Sequence, residues 1–155
     1  MATQHNNTAQ LIQALGETDQ LFLQQNTPEL ALQRGKIRLA LIQASQHQQE
    51  QVYFLQQAIV IVEQARIEFE EMPLSLYLDL SILLGQIYMC YFNLTQQARF
   101  ALITEQILRP LAHHHHFEIY QLLKNAAIAQ QHSAMATYWQ KKIDSLFQPI
   151  PQTFS

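Results

Sequence analysis

One stretch, Leu74 to Phe92 (LSLYLDLSILLGQIYMCYF), limits what this chain can fold into more than any other. It is apolar on nearly every side and is broken only by Asp79, Gln86 and a few serines. A helix without a polar face is stable inside a protein or inside a bilayer. Its length nearly suffices for a membrane span. Against that, Asp79 and Gln86 would lie within the hydrocarbon, and no basic belt flanks the stretch. The segments on both sides are amphipathic and can cover it. The reading is therefore a central helix of a folded domain, with no membrane insertion.

The rest of the chain fits that reading. At 155 residues it is one ordinary domain, and 48% apolar content supplies a core. Sheet-rich folds need many turn residues, yet only three glycines and five prolines punctuate this chain. An all-α fold is expected. Apolar periodicity places helices at about Thr8–Gln25, Pro28–Gln46, Glu50–Glu70, Leu74–Phe92, Thr95–Leu108, Phe117–Gln130 and Ala134–Phe147. Thr27 and Pro28 form a helix start, with the cap followed by proline at the first helical position. Asn93-Leu94-Thr95 reads as a turn with Thr95 as the next cap. Residues 1–7 and the Pro-containing tail 148–155 read as flexible ends around a single domain, 8–147. About seven helices joined by short loops form antiparallel hairpins.

The middle of the chain has a spacing of its own. Leu84-Gly85-x-x-Tyr88 is followed by Ala98-x-x-x-Leu102 and then Pro110. This resembles the tetratricopeptide repeat (TPR), in which small residues let paired helices approach and bulky ones fill the space beside them. Ser81 stands where that family often has tryptophan, and the turn is one residue longer than the strict repeat. Ala58-x-x-x-Val62-x-x-Ala65 and Ala134-x-x-x-Tyr138 echo the second helix of the same unit. The resemblance implies a TPR-like, right-handed stack of antiparallel helix pairs. It also implies a concave groove for a peptide, lined by the first helix of each pair.

Chemistry is sparse. A net charge of −3 with 14% charged residues gives no electrostatic footprint for nucleic acid. The opening MATQHNNTAQ lacks the basic and apolar regions of a secretory signal, and the lone Cys90 pairs with no second cysteine. The expected location is the cytoplasm. Phosphate loops, nucleophile elbows and zinc-protease motifs are absent, so neither enzyme activity nor a cofactor is expected. His113-His114-His115-His116 is the most conspicuous run. Consecutive histidines on a helix diverge, and only His114 or His116 with Glu118 suggests a weak metal site short of the required ligands. Arg34 and Arg38 share a helix face and can clamp a partner's carboxylate. Asp79, in an apolar helix, is expected to face solvent, a partner or a cation such as Arg38. Trp139, Tyr138 and Phe147 read as core of the last hairpin.

The expected function is a non-enzymatic protein–protein interaction module, adaptor or chaperone-like. Its groove would be built on the second, fourth and sixth helices, with Arg34, Arg38, Asp79, Gln86, Met89, Tyr120 and Lys124 touching the partner. The alternatives are a homo-oligomer, such as a homodimer, paired through apolar faces of the terminal helices, or a metal-responsive protein using the histidines.

Overall fold

A computed structural model describes residues 2–69 and 71–148. Seven α-helices follow one another: α1 (Ala2–Gln24), α2 (Pro28–Ala44), α3 (Gln48–Glu68), α4 (Leu74–Thr95), α5 (Ala98–Leu108), α6 (Phe117–Ala129) and α7 (Ser133–Leu146). A short 3-10 segment, Arg109–His114, joins α5 to α6. There is no strand among the described residues.

Local chemistry sets several boundaries. Thr27 Oγ1 accepts from the Leu30 amide at 3.2 Å ahead of Pro28, as the sequence suggests. The first helix starts at Ala2, earlier than the expected Thr8. The turn expected at Asn93–Thr95 is instead the last turn of α4. Thr95 Oγ1 donates back to the Tyr91 carbonyl at 2.9 Å, and the chain reverses at Gln96, whose φ of 58° is left-handed. Of the tail 148–155, everything after Gln148 lies outside the described residues.

Successive helices are antiparallel, because contacts pair residues at similar distances before and after each connection. Arg38 reaches Gln57 across α2 and α3, and Arg66 reaches Tyr77 and Ser81 across α3 and α4. Tyr91 stacks on Phe100 across α4 and α5. Tyr120 stacks on Trp139 across α6 and α7. Beyond these neighbours, α4 also packs on α2 and α6, whereas α3, α5 and α7 do not meet one another to a comparable extent. α4 is thus enclosed by α2, α3, α5 and α6.

The core has two parts, and α4 belongs to both. Leu80, Leu84 and Ile87 pack with Leu55 and Val62 in the first, while Ile82 and Met89 join Leu108, Ile119 and Trp139 in the second. Two glycines permit the close approach. A Cβ on Gly35 would stand 2.8 Å from both Leu83 Cδ2 and Val62 Cγ2, and one on Gly85 would stand 2.7 Å from Leu108 Cδ1. Buried polar groups are paired: Ser81 accepts from Arg66 Nε at 3.1 Å, and Tyr88 OH donates to Glu63 Oε1 at 2.7 Å. Burial, then the bond to Glu63, pushes the Tyr88 pKa upward.

Some expected core positions move. Ala58 and Ala65 are buried, but Ala98 and Ala134 are exposed, and Leu102 is largely so. α5 instead buries Phe100, Ala101, Thr104 and Leu108, a face rotated from the one that carries Ala98 and Leu102. In α7, Trp139 is buried as expected. Tyr138 and Phe147 are exposed, correcting their assignment to the core: Tyr138 packs edge-on against Trp139 from outside.

Candidate interaction surfaces

Arg34 and Arg38 lie one turn apart on α2, on the side turned toward α1 and α3. Apolar neighbours Leu30, Ala31, Leu41 and Ile42 bury that side, and the two guanidiniums are buried with it. Their carboxylate partner comes from this chain. Asp19 on α1 accepts from Arg34 Nε at 2.7 Å and from Arg38 Nη2 at 2.8 Å. Arg38 also donates to Gln57 Oε1 at 3.1 Å and to the Arg34 carbonyl at 3.3 Å. The Arg34 guanidinium lies 4.0 Å above the Phe22 ring. Partial burial works to raise the Asp19 pKa, but the hydrogen bonds and charges of Arg38 and Arg34 outweigh it and hold it below the ordinary value.

Of the surroundings open to Asp79 (solvent, a partner or a cation such as Arg38), the pairing with Arg38 is not formed. Arg38 faces α1, while Asp79 stands exposed on α4. The clamp that the sequence offered to a partner is closed by an internal acid. The missed residue, Asp19, did leave a signal: it sits among Leu11, Leu15 and Phe22 on the apolar side of α1, where a charge needs a buried partner.

A second surface runs over α2, α4 and α6, the helices that touch one another in succession. On one face of α4, Ser75, Asp79 and Asn93 are exposed and Gln86 is half-buried, while Ile82 and Met89 between them are buried. α2 exposes Gln33, Lys36 and Gln43, and α6 exposes Glu118, Asn125 and Ile128 with Gln121 half-buried. Asp79 is therefore exposed and Gln86 half-exposed on that face. Met89 and Tyr120 are neither. Met89 is in the core, and Tyr120 is 2% exposed, stacked on Trp139 with its hydroxyl hydrogen-bonded to His115 Nδ1 at 2.8 Å. Lys124 is drawn to α7 by its bond to Gln140.

The histidine run divides among structural tasks. His113 and His114 end the 3-10 segment, His115 takes a left-handed turn with φ 54°, and His116 caps α6. His116 Nδ1 accepts from the Glu118 amide at 3.2 Å, so the nitrogen and the helix start are matched. Among the described residues no group of three or more His, Cys, Asp or Glu is assembled to hold a metal. Burial pushes the Cys90 thiol pKa up, away from a reactive thiolate. Helix α4 is long and apolar enough to cross a membrane by length and composition, and half of that span is buried by its neighbours. Compared with protein-family models, with curated proteins and with solved structures, the chain matches none.

Proposed function

We propose that this protein is a non-enzymatic, cytoplasmic interaction module, similar to a TPR domain, that holds an extended segment of a partner across α2, α4 and α6. The carrying observation is the set of polar side chains that α4 keeps at the surface. A helix enclosed by four others keeps Asp79 and Asn93 exposed and Gln86 half-exposed on one side, between two helices that expose glutamine and asparagine of their own. Amide side chains both donate and accept, so Gln33, Gln86, Gln121 and Asn125 suit the backbone of an extended peptide. Lys36 and Asp79 add one charge of each sign. The contact order of the helices, with α2, α4 and α6 touching in succession, supports the repeat-like stack on which this reading rests.

The test is affinity capture from native lysate, read by mass spectrometry. It compares wild type, Asp79→Lys with Gln86→Glu, and the control Lys141→Glu on the outer side of α7. The reading expects one partner held by wild type and control and lost from the double variant. A partner retained by the double variant, or lost equally from the control, overturns it.

A second reading, self-association through the terminal helices, draws on large apolar side chains left exposed there: Leu23 at 83%, Ile12 at 54% and Phe147 at 70%. Sedimentation showing a monomer at every concentration removes it.

A further inference from the structure

α1 is attached unlike any other helix. Among its described side chains none is fully buried, and it packs to any comparable extent on α2 alone. Its facing side is a short pattern: Leu11, Leu15 and Phe22 half-buried, with Asp19 between them. Beneath it lies a surface that is far better built. Leu30, Arg34, Arg38 and Leu41 of α2 are each at most 9% exposed. Beside the arginines, a cleft continues over Tyr53, Gln56, Val60 and Ile61 of α3.

The charges on the two sides are unequal. Two guanidiniums meet a single carboxylate, 36% exposed, so α1 supplies one negative charge to two positive ones. Arg34 engages Asp19 through Nε at 2.7 Å, and no buried side-chain nitrogen or oxygen among the described residues lacks a hydrogen-bond partner. A guanidinium can bind a carboxylate through two parallel bonds, and Asp19 takes one from Arg34. Glu68 lines the neighbouring small cavity with Arg34 but forms no ion pair with it.

We infer that the α1-facing side of α2 is a docking surface for an acidic amphipathic helix of another protein, and that α1 occupies it in cis. The incoming helix would present a carboxylate one turn before an aromatic ring, as Asp19 precedes Phe22, with aliphatic side chains one and two turns earlier. A helix with more negative charge on that side balances both arginines and displaces α1 about the connector Gln25–Thr27. This surface lies apart from the polar side chains of α4, and neither reading depends on the other.

A labelled peptide of residues 8–25 of this chain serves as the probe, titrated into the full-length protein and followed by fluorescence anisotropy. Wild type should bind it weakly, because its own α1 competes. Asp19→Asn and, independently, Phe22→Ala in the protein loosen the resident helix and should raise peptide affinity at least tenfold. A peptide carrying Asp19→Lys should lose at least tenfold on the same variants. Adding Arg34→Gln and Arg38→Gln to the Phe22→Ala protein should abolish the preference between the two peptides. Circular dichroism confirms that each variant used is folded, and the two loosened variants guard against failure of either. Equal binding of the Asp and Lys peptides, or no binding to either loosened variant, overturns the proposal. So does uptake of α1 only between two copies of the chain, seen as a concentration-dependent dimer, since that makes the occupant a second copy.

Discussion

α1 and α4 are nearly equal in length, 23 and 22 residues, yet they are held by different forces. α4 is enclosed by four helices and buries Leu80, Leu84 and Ile87 completely. Its attachment is apolar area and close packing, which salt and acid scarcely affect. α1 lies against one helix, buries none of its described side chains fully, and is fixed by Asp19 between two arginines. An ion pair of this kind is directional and depends on charge state, so the same length of helix can be permanent in one place and conditional in another. Stability is therefore expected to be uneven along the chain, with α1 at its low end.

The largest effect should follow from damage to the enclosed helix. Leu84→Ala removes a completely buried side chain and should cost about 3 kcal/mol of global stability, read as a lower urea midpoint. Asp19→Ala should cost about 2–3 kcal/mol of α1 docking. That figure is at or below the low end for breaking a buried pair, because the Asp19 side chain is 36% exposed and partly screened. The comparison breaks if Asp19→Ala lowers the midpoint of the whole domain as Leu84→Ala does.

Acid should act on the same contact. The folded-state pKa of Asp19 lies below its unfolded value, so the pair contributes stability above the unfolded value of about 3.9 and loses it as pH falls through the lower folded one. Detachment of α1, followed by fluorescence of a dye on α1, should begin near pH 4 in wild type, and the Asp19→Asn protein should show no such step. A step of equal size in both proteins assigns the effect to another carboxylate.

The smallest contrast comes from glycine. A Cβ on Gly16 of α1 would meet nothing within 4 Å, so Gly16→Ala should stabilise the helix by about 0.5–1 kcal/mol. The same change at Gly85 meets Leu108 Cδ1 at 2.7 Å and should be destabilising by about 1 kcal/mol, the overpacking exceeding the gain in propensity. Thermal unfolding of the two variants gives the comparison directly, and shifts of the same sign would contradict it.

What could be read from sequence follows the same division. The α4 stretch announced its burial by composition, and Thr27-Pro28 announced a helix start by local chemistry. Both depend on neighbouring residues. The register of α5 was misplaced by one turn, because Thr95 can cap a new helix or bond back to the old one, and only the packing of Phe100 and Ala101 decides between them. Tyr120 carries the same ambiguity: an aromatic at a helix face is surface or core according to what lies above it, here Trp139. The Asp19 clamp joins residues 15 and 19 positions apart, and spacing alone does not reveal it. Charges on otherwise apolar sides of both helices were the available signal. The histidine run shows the reverse case, a conspicuous pattern whose members are spent on a turn and a cap.

The most direct measurement is native-state hydrogen exchange of wild type and Asp19→Asn. The account predicts that α1 amides open at a lower free energy than those of α4, and that the substitution speeds exchange in α1 while leaving α4 unchanged. Equal protection of α1 and α4, or an equal loss in both on substitution, would contradict it.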